Sequence, residues 1–233
     1  MIVDDDQLTC EVLGLLASEA GFETIAVESG QLALDSLAKP GARIPNAVLA
    51  DMQMPGVSGD RLARLLRSAC GPATTLFAMS GTAVAAGQTL DYDGFLLKPF
   101  SAVDLAAALA DPSTPSPAPT PAYSHSADLN PAIYAGLAQS MPREQVRKLY
   151  IMCLDDAEAR IQLLRKAAAA GDGDAYRRAA HSIKGGCGMV GATELARLAA
   201  QMEESGPETV DNVDPYSEFL AASARLRRIL DAH

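Results

Sequence analysis

Apolar runs that end abruptly on polar side chains organise the first 110 residues. Ile2-Val3 runs into Asp4-Asp5-Asp6, and Ala47-Val48-Leu49-Ala50 into Asp51-Met52-Gln53-Met54-Pro55-Gly56. Thr75-Leu76-Phe77-Ala78-Met79 runs into Ser80, and Gly94-Phe95-Leu96-Leu97 into Lys98-Pro99. Short unbroken apolar runs closed by turn residues predict strands buried on both faces. Ile25-Ala26-Val27 predicts a fifth. Between the strands, Leu8, Val12, Leu15 and Leu16 have the spacing of a helix face, and Leu62, Leu65, Leu66 and Ala69 repeat it. Further helices are predicted over about 31–38 and 103–109. Strands alternating with helices predict an α/β domain, a doubly wound five-stranded parallel sheet.

The pattern then changes. Residues 111–127 contain five prolines (112, 115, 117, 119 and 121), which exclude both helix and sheet. They predict an exposed spacer that reaches roughly 50 Å at about 3.1 Å per residue. His125 lies within it as a solvated residue. Beyond it no strand signal survives. Helices are predicted over about 131–139, 143–170, 176–184, 192–204 and 215–230. Gly171-Asp172-Gly173-Asp174 ends the long one and caps its successor, and Ser205-Gly206-Pro207 ends the fourth. Long helices joined by short turns predict an all-α four-helix bundle with one extra N-terminal piece. The expected organisation is therefore a domain at 1–110, a linker at 111–127 and a bundle at 128–233.

Charge narrows the function classes. The chain of 233 residues carries a net −10. Residues 1–110 hold 6 basic and 13 acidic side chains, while residues 128–233 hold 13 and 15. Nucleic acid is not an expected partner, because neutralising phosphates needs clustered Lys and Arg. Nor is a membrane, because no run approaches about 18 apolar residues and the N-terminus has no signal-peptide pattern. Cys10, Cys70, Cys153 and Cys187 show no paired spacing, which suits reduced thiols in cytosol rather than a zinc site.

The strand ends carry the chemistry. Ligands of open α/β sheets gather at the C-terminal edge of the strands. Four strands would place Asp4, Asp5, Asp51, Ser80 and Lys98 on that rim. Like charges at 4 Å repel by about 4 kcal/mol at an effective dielectric of 20. Such a cluster is either partly protonated or holds a cation, and an all-oxygen set suits Mg²⁺ with waters and phosphate oxygens. Asp51 would be a candidate nucleophile toward phosphorus, with Lys98 and Ser80 balancing charge.

Residues 1–110 resemble a response-regulator receiver domain (CheY-like, flavodoxin-like fold). The matching pieces are Val3-Asp4-Asp5-Asp6, Asp51-Met52-Gln53-Met54-Pro55 with Gly59, Met79-Ser80-Gly81 and Leu97-Lys98-Pro99-Phe100. The resemblance implies Asp51 as phosphoacceptor and a Mg²⁺ site made by Asp4, Asp5, Asp51 and the Gln53 backbone carbonyl. It also implies a switch set of Ser80, Phe95, Lys98 and Pro99, with a cis Lys98–Pro99 peptide. Two departures stand out. The chain begins only a few residues before Asp4, so strand one is clipped or the native start lies upstream. Only 18 positions separate Ser80 from Lys98, which predicts an abbreviated helix between strands four and five.

The second informative stretch is Arg177-Arg178-Ala179-Ala180-His181-Ser182-Ile183-Lys184-Gly185-Gly186-Cys187-Gly188. On a helix, Lys184 and Gly185 share the face of His181. Each helical Gly costs about 1 kcal/mol against Ala, and close approach of another protein is one reason to accept that. This segment, with Gly191-Ala192 and the bundle around it, is similar to a histidine phosphotransfer (HPt) domain. The resemblance implies His181 as a phosphohistidine site, Lys184 as its support, and Gly185 and Gly188 as a docking surface. Gly186-Cys187-Gly188-Met189-Val190-Gly191 also satisfies GxGxxG, but it follows a helix rather than a strand and is not a dinucleotide fingerprint.

Together the resemblances imply a two-component phosphorelay protein whose partners are a sensor or hybrid histidine kinase and the receiver domains of response regulators. No P-loop or kinase motif is present, so a relay rather than an enzyme is expected. Two rivals remain. An aspartyl-phosphate phosphatase would want an acid at position 53, where Gln53 stands. A phosphorylation-independent module, with the receiver gating the bundle, is not excluded by the residues.

Overall fold

The computed structural model describes residues 1–81, 91–98, 100, 102–112, 128–207 and 214–232. The chain divides into two compact units, Met1–Thr120 and Pro121–His233. Pro99, nearly all of the linker, and the span between strands four and five lie outside the described residues. So therefore do the cis-peptide expectation and the shortened-helix expectation.

The first unit is the expected five-stranded parallel sheet. Its strands are β1 (Ile2–Val3), β2 (Ala26–Val27), β3 (Ala47–Asp51), β4 (Thr75–Ser80) and β5 (Gly94–Leu97), in the order β2-β1-β3-β4-β5. The helices are α1 (Gln7–Glu19), α2 (Gly30–Leu37), α3 (Gly59–Cys70) and α4 (Ala102–Ala110). Strand order reverses at β1/β3, the point where ligands of doubly wound sheets bind. Alternation along the strands sorts the core. Val3, Val48, Ala50, Leu76 and Ala78 pack with Ala33 and Leu37 of α2 and with Leu62, Ala63 and Leu66 of α3. The intervening Leu49, Phe77 and Met79 are also buried, so β3 and β4 are apolar throughout because both faces are covered.

Register is what positions the rim. Val3 pairs with Ala50, Asp51 with Met79, and Ser80 with Leu97. Asp4 therefore leaves β1 level with Asp51. Ser80 stands one residue beyond Asp51's partner, and Lys98 one beyond Ser80's. Parallel pairing turns four separate strand ends into a stepped row.

The second unit contains α5 (Pro131–Ser140), α6 (Arg143–Ala170), α7 (Gly173–Met189), α8 (Thr193–Ser205) and α9 (Pro215–Ala232). Buried positions on α6 recur at Val146, Leu149, Tyr150, Cys153, Leu154, Ala157, Ile161 and Leu164, the three-four spacing of a bundle seam. Gly171 closes α6 at φ 69°, a left-handed C-cap that only glycine adopts without strain. Asp172 caps α7 by accepting from the Ala175 amide at 2.9 Å. α7 runs further than its apolar pattern suggests, straight through Gly185, Gly186 and Gly188 to Met189. Tertiary packing on α6 and α8 overrides the weak propensity of those glycines. No helix among the described residues is long and apolar enough to cross a membrane.

Candidate functional site

Two sites emerge, one in each unit. In the first, Lys98 comes off β5 and places its ammonium 2.6 Å from Asp4 Oδ2 and 2.8 Å from Asp51 Oδ1. All three side chains are at most 8% exposed. The other oxygen of each acid is also engaged: the Asp6 amide donates to Asp4 Oδ1 at 3.0 Å, and the Gln53 amide donates to Asp51 Oδ2 at 2.7 Å. The loop after β3 thus begins by folding back on its own acid. Ser80 is buried on the next rung, and the Lys98 amide donates to the Ser80 carbonyl at 2.8 Å. Phe95 pairs with Ala78 and packs, partly buried, against the core on the α2/α3 side.

The electrostatics show too much negative charge for one lysine. Burial raises the Asp4 carboxyl above its ordinary value; Lys98 opposes that and Asp51 adds to it. Asp5 is exposed, yet partial desolvation and then the charge of Asp51 raise its carboxyl as well. Burial by itself would weaken the Lys98 charge, but Asp4 and Asp51 outweigh that and hold the ammonium firmly protonated. Among the described residues no three His, Cys, Asp or Glu side chains form a ready-made metal cage, and Lys98 is drawn between the two buried acids. The donor set nevertheless fits Mg²⁺: every possible ligand atom on the rim is an oxygen, three acids stand there against one lysine, and Mg²⁺ takes only one or two carboxylates while keeping waters.

Asp6, third of the acidic run, has a different role. It caps α1, accepting from the Thr9 amide at 2.8 Å, and so fixes where the helix starts behind Asp4 and Asp5.

In the second unit His181 lies on α7 with its side chain 24% exposed. Its Nδ1 is 2.8 Å from Glu203 Oε1, and Lys184 Nζ is 2.6 Å from Glu203 Oε2. One carboxylate on α8 therefore ties together two residues of α7. A carboxylate accepts, so His181 donates from Nδ1, and in the neutral ring this places the lone pair on Nε2. Burial would raise the Glu203 carboxyl, but hydrogen bonds from His181 and Lys184, and then their charges, lower it. Gly185 is partly exposed but Gly188 is buried, so of the two glycines expected to frame a docking surface only Gly185 stands at one; a Cβ at either would meet nothing within 4 Å. Nothing inside the bundle requires glycine at either position.

Sequence reasoning reached His181 and Lys184 and missed Glu203. A signal was present: Glu203 follows Ala196 and Ala199 by seven and four residues, on the apolar stripe of α8. An acid in a core-facing register asks for a partner. Identifying the partner needed the antiparallel packing of α7 on α8.

Comparison with known proteins follows the same division. Residues 1–110 match the family profile of the response regulator receiver domain, and residues 148–232 match that of the Hpt domain. The Sensory/regulatory protein RpfC of Xanthomonas campestris pv. campestris is 27% identical over 217 residues, covering 87% of this chain and 30% of RpfC. The DNA-binding response regulator MtrA of Mycobacterium tuberculosis is 32% identical over 109 residues, covering 46% of each. The chain thus spans less than half the length of these curated relatives. The Vibrio cholerae chemotaxis protein CheY4 superposes with a TM-score of 0.42 at 21% identity, over 48% of this chain and 94% of that one.

Proposed function

Because the chain joins a response regulator receiver domain to an Hpt domain, we propose that it is a phosphorelay protein in which Asp51 and His181 each carry a phosphoryl group. The reading takes residues 1–110 as the receiver, 111–127 as linker and 128–233 as the phosphotransfer bundle. One observation supports it above the others. The Lys98 ammonium bridges Asp51 and Asp4 across a buried rim, so a counter-charge already stands beside the oxygen that would receive phosphorus.

Transfer out of the bundle begins with a phosphoryl group on Nε2. The P–N bond breaks with its electron pair returning to Nε2, and an Asp51 oxygen forms the new P–O bond. Nδ1–H stays on Glu203 throughout, so no proton has to move. In the reverse direction the Nε2 lone pair attacks phosphorus and the Asp51 carboxylate leaves. Lys184 stays beside the ring to balance phosphoryl charge. On the receiver side Lys98 follows the charge as it shifts from carboxylate to phosphoryl oxygens. Ser80, Phe95 and Pro99 would carry the change of state along β4 and β5. Asp4, Asp51 and the Gln53 carbonyl, with Asp5 at the rim, would hold Mg²⁺, which supplies the positive charge that lets an anionic phosphoryl group approach a carboxylate. Gly185 would leave room for the receiver over His181. The phosphoryl group itself comes from a sensor or hybrid histidine kinase, and other receiver domains are its destinations.

The test is labelling of the full chain by a small acyl phosphate with Mg²⁺, and by phosphoramidate, comparing Asp51→Ala with His181→Ala. Base-labile label should vanish with the first variant and acid-labile label with the second. Label that survives both substitutions removes the relay reading.

A further inference from the structure

The α7 surface carries more positive charge than the chemistry at His181 uses. Arg177 and Arg178 stand four and three residues before His181, and Lys184 three after it, so all four residues lie on one flank of the helix. Both arginines are exposed. The α7–α8 seam confirms the alignment. His181 and Lys184 meet Glu203, and one turn further along, Arg177 Nη2 lies 3.6 Å from where a Cβ on Gly206 would stand. Lys184 already pairs with Glu203 beside the ring. The Arg177 contact to Asp174 is 4.0 Å long, with both side chains mostly exposed, and pairs of that kind hold little free energy.

Resting on the relay reading above, we propose that Arg177 and Arg178 are specificity-determining residues that steer this bundle onto an acidic receiver rim, the rim of this protein's own receiver in a second copy of the chain. Charge complementarity is the argument. Residues 1–110 carry a net −7, and the rim holds three acids around one lysine, with Asp5 exposed at its edge. A cationic ridge beside the phosphoryl-bearing nitrogen meets that field over about a Debye length, roughly 10 Å at 0.1 M salt. Exposed charges at an interface act on encounter rate and salt dependence more than on the docked contact. The arginines therefore speed the meeting and select for acidic rims, while Glu203 holds the ring and Lys184 stands by to balance the phosphoryl group.

The experiment uses full-length chains in a single turnover. The donor carries Asp51→Ala and is loaded to completion on His181 with phosphoramidate; the acceptor carries His181→Ala. At low salt, adding Arg177→Ala and Arg178→Ala to the donor should slow transfer about tenfold. The same donor should also lose most of the salt dependence, so that the two donors converge at high salt. Replacing both arginines by lysine should restore the rate, because steering needs charge rather than guanidinium geometry. Equal rates at low salt, or an unaltered salt slope, overturn the proposal. Absence of transfer even from the arginine-bearing donor has a different signature, and it removes transfer between copies along with the steering that depends on it.

Discussion

The receiver rim and the histidine face solve opposite problems with the same kinds of group. At the rim, two carboxylates and an ammonium are withdrawn from water, at most 8% exposed, and positioned by strands whose register cannot slip. On α7 the imidazole remains 24% exposed, held from behind by one carboxylate on a neighbouring helix. The first arrangement encloses a small ionic group. The second leaves one side of the ring open to solvent, as the proposed transfer to another domain requires. On the proposed relay, a group that receives a phosphoryl within its own pocket needs charge compensation in place beforehand, whereas a group that reaches into another protein's pocket needs exposure and a held ring.

Several substitutions would sharpen or break that contrast. Lys98→Met should have the largest effect on stability. It leaves Asp4 and Asp51 buried together without a cation, and breaking a buried pair costs about 3–5 kcal/mol. Denaturant melts at neutral pH should show that loss, and adding Asp4→Asn should return much of it. If Lys98→Met melts like the parent, the rim is not the charge-locked site described here.

Glu203→Ala should cost less in stability and more in chemistry. Without it the ring is free to place its lone pair on either nitrogen. Transfer from a loaded receiver into His181 should slow about ten- to a hundredfold, the scale of losing an orienting carboxylate. Glu203→Gln, which keeps an acceptor for Nδ1–H, should retain more of the rate. Identical rates for the two variants would show that orientation is not what Glu203 provides.

The same carboxylate predicts a pH effect of definite sign. Its folded-state value is lowered, so the stability it contributes is fully present above the ordinary glutamate value of 4.5 and lost as pH falls through the lowered one. Thermal melts of the parent and Glu203→Gln should therefore differ most near neutral pH and converge in acid.

The smallest expected effect is a gain. Gly185→Ala fills open space on a helix interior and should stabilise the bundle by about 0.5–1 kcal/mol; on the docking role proposed above it should also slow transfer, because the added methyl stands on the face of His181. A stabilised variant that transfers at the parent rate would show that the glycine is not there for a partner.

Legibility differed between the two regions for a physical reason. At the rim, each polar residue follows its own apolar run, so Asp4, Asp51, Ser80 and Lys98 were readable one strand at a time. A parallel sheet buried on both faces then leaves their shared edge as the natural meeting place. On the bundle, His181 and Lys184 were readable because they are three residues apart on one helix. Glu203 belongs to a different helix, and helical periodicity tells which face an acid occupies without telling what that face meets. Asp6 shows the same limit at short range, since nothing in Asp4-Asp5-Asp6 separates the residue that caps a helix from those that line the rim.

The amino-acid sequence by itself determined the two folds, their order along the chain, and the residues that end each strand, because these follow from local periodicity and turn chemistry. Tertiary structure alone decided which partners those residues take: that Lys98 spans both Asp4 and Asp51, and that Glu203 divides its two oxygens between His181 and Lys184. Those pairings join residues 94, 47, 22 and 19 positions apart. Strand register and helix packing set such distances, and both are properties of the assembled core rather than of any segment within it.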